Sequence, residues 1–260
     1  ERMTEWNDPG YEFALKELEI ISNEMNEIKV KYNFDSLTDE EKLSYRLFLD
    51  NSQNSLDQME WWYHDYALTQ MYGAHSGVPT FLINQHPIDN ITDANAYIKR
   101  IELSGRYLEK VLENTRESAR RGIRPPKFVY GHVISTSKNI ISGFPFEKSE
   151  GLNLVYDDFN KKISELNLPK EVSENLNKQV QNALLSSFKP AYILLINEML
   201  TQQRQTTEDD GVWKLPRGNE YYASRLKTMT TTELSAKEIH RPHFFYEKDP
   251  DTFKVKLGED

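Results

Sequence analysis

The sequence predicts a mainly α fold, a multi-helix bundle of long amphipathic helices with one long irregular loop and one short turn-rich or hairpin segment. Three observations lead there. Apolar residues recur at three- and four-residue steps over most of the chain, which puts them on one face of a helix rather than alternating across a strand. Ser or Thr followed three residues later by Glu occurs just before two such runs, the pattern of a capping box. Proline and glycine gather in a few places, where they punctuate helices instead of spacing short strands.

Tyr11, Ala14, Leu15, Leu18, Ile21, Met25, Ile28 and Tyr32 share one helical face and define the first helix. Thr38 with Glu41 opens the second, which Leu43, Leu47, Leu56, Met59, Tyr63 and Tyr66 continue, antiparallel to the first. Residues 73–90 hold Gly73, Gly77, Pro79 and Pro87 with no helical period, so the chain is expected to leave the bundle there as a packed loop. Ala94, Ile98, Ile101, Gly105, Leu108 and Leu112 restore a helix from Thr92 to Arg121, with Gly122 as its stop. Pro125 and Pro126 suit the first turn of the next, ending near Gly143, because an amide there has no helical partner to lose.

Leu152, Val155, Phe159, Ile163 and Leu166 mark a shorter helix stopped by Pro169. A long helix then runs from about Lys170 to Gln205, and Pro190 is expected to bend it without breaking it, because the apolar period survives on both sides. Glu208 to Gly218 is dense in turn-formers and reads as an ordered loop or short hairpin. Tyr221, Tyr222 and Leu226 resume a short helix, and Ser235 with Glu238 opens one more that Pro242 cuts short.

The composition narrows the function. A formal charge of −9 repels phosphate backbones and anionic lipid, so nucleic acid is excluded as the expected partner. The basic run Arg116–Arg124 falls at a helix end, where cations oppose the negative end of the dipole. No stretch is apolar for the roughly 18–20 residues a membrane span needs. Without cysteine there are no disulfides, thiolate nucleophiles or Cys-ligated zinc, and neither a reducing nor an oxidising compartment is indicated.

None of the six histidines stands one helical turn from another with a carboxylate placed as base. His240 and His243 are separated by Arg241 and Pro242 and read as surface imidazoles. His64 and Asp65 are adjacent and diverge on a helix, and His132 reads as structural too. His75 and His86 gain functional weight only from their place in the expected loop. Gly-x-Ser-x-Gly, phosphate-loop and dinucleotide glycine patterns are missing from the sequence. The acid pairs Asp157-Asp158 and Asp209-Asp210 read as solvated surface, although the second sits in a loop that could use it. Aromatic residues stand out: Trp61, Trp62, Tyr63, Tyr66 and Tyr72 are explained by core packing, whereas Trp213, Tyr221 and Tyr222 beside the turn-rich segment are equally consistent with packing and with a substrate-facing role. The candidate substrate-binding residues are therefore Trp213, Tyr221, Tyr222 and His75; no catalytic or metal-binding residue is assigned.

Gln70-Met71-Tyr72-Gly73, Val78-Pro79, Gln85-His86-Pro87 and Asp93 to Arg100 resemble the N-terminal half of the bacterial domain of unknown function 885 family. Asp210-Gly211-Val212-Trp213-Lys214-Leu215-Pro216, Gly218, Tyr221-Tyr222, Thr230-Thr231-Thr232 and Glu238-Ile239-His240 resemble its most recognisable block. The resemblance implies a helical, zinc-peptidase-like protein, commonly exported and often lipid-anchored, whose His/Glu metal motif lies in its C-terminal half. Neither that motif nor its downstream glutamate helix occurs here, and after His240 the chain turns to Arg241-Pro242-His243-Phe244-Phe245-Tyr246 where the family continues as a helix. Residues 1–240 are thus expected to be the helical N-terminal part of a larger hydrolase-like protein, and 241–260 an irregular tail, either where the chain stops short or where it is joined across a missing segment.

The function implied is a scaffold and lid for a zinc-dependent peptidase of the cell envelope, periplasmic or outer-membrane lipoprotein, with zinc only in the full-length protein. Its partners would be the missing C-terminal half, a peptide-like substrate and, through an N-terminal lipid alone, the membrane. The alternative is a non-catalytic helical protein that binds peptide or glycan, and a pure scaffold for a protein partner is a third possibility.

Overall fold

A computed structural model describes residues 2–148 and 151–239 of the chain. They fall into two compact units, Glu1–Pro216 and Arg217–Asp260. The first contains α1 (Tyr11–Lys31), α2 (Asp39–Gln58), α3 (Ala74–Gln85), α4 (Ile91–Arg120), α5 (Lys127–Ile140), α6 (Leu154–Glu165), α7 (Lys170–Ala183) and α8 (Lys189–Gln205). The second contains α9 (Gly218–Thr230) and α10 (Ala236–Ile239). Among the described residues β pairing is confined to two isolated bridges, Leu68 with Gly73 and Phe144 with Leu152.

The mainly α prediction holds, and the helix starts show why. Thr38 and Glu41 form the predicted reciprocal box at the start of α2, and Ser235 with Glu238 does the same before α10. Asn90 caps α4 by accepting the Asp93 amide. Asn153 caps α6 and also donates to the carbonyls of Ile140 and Ser142, tying the end of α5 to the start of α6.

The 30-residue α4 is the axis of the first unit. Its Tyr97, Ile101, Leu108 and Leu112 are fully buried, four and seven residues apart, against α7 and α8. Val180, Leu184, Phe188, Tyr192 and Leu195 supply the opposing fully buried side chains. Each such large apolar residue contributes roughly 1.5–3 kcal/mol by leaving water.

Two expectations change. Residues 73–90 are not a long irregular loop, because Ala74–Gln85 is helical with Pro79 inside it. A proline at 79 has no N–H for the carbonyl of His75, one turn earlier. The hydroxyl of Tyr192, fully buried on α8, donates to that carbonyl instead at 2.6 Å. Tertiary packing thus replaces the lost helical bond. Gly73 starts α3 at φ 140°, where a Cβ would lie 2.9 Å from the carbonyl oxygen of Ala67. His75, Val78, Pro79 and Leu82 are buried at i, i+3, i+4 and i+7, one face of the helix, but a histidine and a proline stand in that stripe and Gly73, Gly77 and Pro79 read as breakers.

The second change concerns 170–205. The chain stays helical, as expected, but Pro190 is accommodated by a π turn at Leu184–Phe188 rather than within one α-helix. There the amide of Lys189 bonds the carbonyl of Leu184, five residues back. The turn-rich segment contains a short 3-10 turn, Val212–Lys214, and no hairpin. The expected tail 241–260, and His240 and His243, lie outside the described residues.

Candidate functional site

The chain that follows α2 tightens into a 3-10 turn at Met59–Trp61 and then runs beside α4. Of its aromatic cluster only Trp61 is core, at 5% exposure. Trp62, Tyr63 and Tyr66 are half-buried, and Tyr72 is exposed. Core packing is therefore not the explanation for this group as a whole. A bundle helix has one buried stripe, and three consecutive large residues cannot all point into it.

Trp62, Tyr63, Asp65 and Tyr66 instead form one wall of a groove of about 270 Å³, with Tyr107 and Asn114 of α4 opposite. A narrower hollow of about 20 Å³ shares Asp65, Tyr66, Ala67 and Ser118 and extends to Ile123, Tyr130 and Gln202. The rings are braced from behind. Tyr11 stacks on Tyr63 with centroids 5.3 Å apart, the guanidinium of Arg121 lies 4.1 Å from the Tyr63 ring centre, and Trp6 stacks on Tyr107 at 5.3 Å. Burial pushes the Tyr66 hydroxyl up to about 12, and also raises Tyr63 and Tyr107. These phenols are neutral and offer hydrogen bonds and ring faces, not a base.

The turn-rich segment comes back to the same corner. His64 Nε2 lies 2.8 Å from the carbonyl oxygen of Pro216, and the Pro216 ring covers Gly122. Leu215 is buried, and Lys214 donates to the carbonyl of Pro125 at 3.4 Å. Trp213 is 75% exposed and its ring lies over Gly211, where a Cβ would sit 2.0 Å from it. The spacing of glycine and tryptophan in this segment has that steric reason.

His75 is 2% exposed, and its Nδ1 has no hydrogen-bond partner. Burial pushes its pKa down to about 4, so the ring is neutral. The structure therefore puts Trp213 at the surface and His75 in the core. Tyr221 and Tyr222 lie on α9 of the second unit.

The sequence marks His86 only by its place in the expected loop; in the structure it anchors a buried network. Arg100 Nη1 donates to its Nδ1 at 2.9 Å, which leaves Nε2–H to donate to the Asp93 carbonyl at 3.3 Å. Burial first, and then Arg100, push its pKa down to about 4. Lys162 Nζ donates to the carbonyls of Leu82, Ile83 and His86 and pairs with Asp158 at 2.8 Å. Asp158 also accepts from Tyr97, so the pair Asp157-Asp158 is half structural rather than solvated surface. Contacts between residues this far apart leave no local pattern.

No three His, Asp or Glu side chains among the described residues are placed to hold a metal ion. The described residues do not fit a zinc centre. No described helix is long and apolar enough to cross a membrane.

The family model for "Bacterial protein of unknown function (DUF885)" matches residues 1–242. The fold is similar to the crystal structure of the "putative lipoprotein from Colwellia psychrerythraea", with a TM-score of 0.73 at 21% identity over 92% of this chain. That match spans 41% of the longer protein. No curated protein matches.

Proposed function

We propose, from the premise that this chain belongs to the bacterial DUF885 family, that it is the N-terminal helical wall and lid of a larger peptidase-like protein of the cell envelope. The observation that carries this reading is the groove with tyrosine and tryptophan on one side and Tyr107 and Asn114 on the other. Ring faces accept apolar side chains, and neutral phenols donate to peptide carbonyls. An extended peptide is the ligand that offers both, in alternation, along a groove.

In this reading Trp62, Tyr63, Tyr66 and Tyr107 hold and orient the peptide and exclude water from one side of it. Trp213 adds an exposed ring, and Tyr221 and Tyr222 are contact candidates on their own unit. His75, next to the groove-lining Ala74, positions rather than touches. Zinc belongs to polypeptide outside this chain, and no chemical step is assigned to the residues described. A periplasmic or outer-membrane lipoprotein location accompanies the same reading.

The test compares peptide hydrolysis and zinc content of the full-length protein with those of this chain. The full-length protein should hydrolyse peptides and carry zinc, and the chain alone should do neither. Tyr66→Ala should raise KM about tenfold with little change in kcat, as loss of uniform binding does. Equal zinc in both preparations overturns the assignment. One observation favours a second reading, a non-catalytic binding protein for peptide or glycan: the groove offers rings and hydroxyls but no acid–base pair. Saturable binding by the full-length protein without turnover would select it.

A further inference from the structure

We propose that the hollow of about 20 Å³ beside the groove is a subsite for one alanine-sized side chain of the peptide, so that the groove selects its ligand by size at one position. This rests on the peptide reading of the groove.

The hollow shares Asp65, Tyr66, Ala67 and Ser118 with the groove, and these residues form its mouth. Tyr66 and Ser118 are half-buried, and their hydroxyls make no hydrogen bond among the described residues. Both are therefore available to the amide and carbonyl of a bound residue. Asp65 at the same mouth disfavours a second carboxylate there.

Past the mouth the wall changes character. Leu68, Ile123, Pro125 and Met199 are apolar, and all but Pro125 are buried. The polar side chains at that depth are already paired. Thr115 donates to the Leu112 carbonyl at 2.9 Å, Tyr130 to Gln202 Oε1 at 3.4 Å, and Gln202 Nε2 to Glu198 at 2.8 Å. An alkyl group placed among them leaves no donor without an acceptor. A polar side chain would give up its own water and find those partners taken.

The volume sets the size. About 20 Å³ is little more than one water-sized sphere requires, and a methyl group is of that size. An isobutyl or benzyl group enters only by displacing Met199 or Ile123, which overpacks a filled core. The groove itself, at about 270 Å³, has room for the larger neighbours of that residue.

The experiment titrates the full-length protein with acetylated, amidated hexapeptide mixtures in which each position in turn is fixed as Gly, Ala, Leu or Phe. Where the peptides are cleaved, kcat/KM replaces affinity. At one position Ala should be preferred to Gly about fourfold, the worth of one buried methylene-sized group, and to Leu and Phe about tenfold or more. Met199→Ala enlarges the hollow and should make Leu at that position equal to Ala or better. Ser118→Leu plugs the mouth and should erase the preference for Ala over Gly. Melting curves identify a variant that fails to fold, in which case the other decides. Binding with no position that prefers Ala overturns this inference and leaves the peptide reading standing, as does a preference unchanged in the folded variants. No binding and no cleavage of any mixture defeats the peptide reading, and this inference with it.

Discussion

Removing one hydroxyl, in Tyr192→Phe, tests how α3 tolerates an internal proline. The Tyr192 hydroxyl is the donor to the His75 carbonyl, at 2.6 Å, and both residues are buried. With Pro79 in place no amide can take over, so the variant leaves a buried carbonyl unsatisfied at a cost of about 1–3 kcal/mol. For a protein of this size that lowers Tm by roughly 2–4 °C per kcal/mol. In a Pro79→Ala background the amide of residue 79 can bond the same carbonyl. There Tyr192→Phe should cost under about 1 kcal/mol, the net worth of an exchanged hydrogen bond. Urea unfolding followed by circular dichroism, on the four proteins of the double-mutant cycle, reads the coupling directly. A coupling energy within about 0.5 kcal/mol of zero, the range of independent sites, would refute the reasoning.

Lys162→Met removes the ammonium that satisfies three carbonyls at the end of α3 and faces Asp158. It should destabilise by about 3–5 kcal/mol, and adding Asp158→Asn should recover part of the loss in the same unfolding assay. His75 and His86 have folded pKa values of about 4 against the ordinary 6.5, so the unfolded chain binds protons first. Their contribution is complete above pH 6.5 and is lost as pH falls towards 4, with a slope of up to about 1.4 kcal/mol per pH unit for each ring. His75→Gln should remove about half of that histidine slope between pH 6.5 and 5, read as unfolding midpoints against pH. Trp213→Ala should shift stability by less than about 0.5 kcal/mol, because the ring is exposed, yet weaken peptide affinity measurably by titration. An unchanged affinity removes Trp213 from the binding surface.

The long helices were legible because each needs one apolar stripe, and a stripe is a local pattern. Thr38 with Glu41 and Ser235 with Glu238 marked helix starts for the same reason: both partners lie within four residues. The family resemblance was carried by short blocks whose sense the fold then explains, since Gly211 makes room for the Trp213 ring. The helix at 74–85 was not legible. Its buried stripe is interrupted by His75 and Pro79 and flanked by Gly73 and Gly77, which read as breakers, and the group that excuses Pro79 lies more than a hundred residues away on α8.

The candidate site divides along the same line. Sequence alone determined that this chain is helical, acidic, without thiol chemistry, and rich in aromatic residues near residues 61–72 and 213–222. Only tertiary structure decided that Trp61 is core while Trp62, Tyr63 and Tyr66 wall a groove, and that His75 is buried while Trp213 is exposed. The reason is physical. Helix propensity and amphipathic spacing act between neighbours in the chain, whereas a groove or a desolvated ring exists only once distant segments have closed around it.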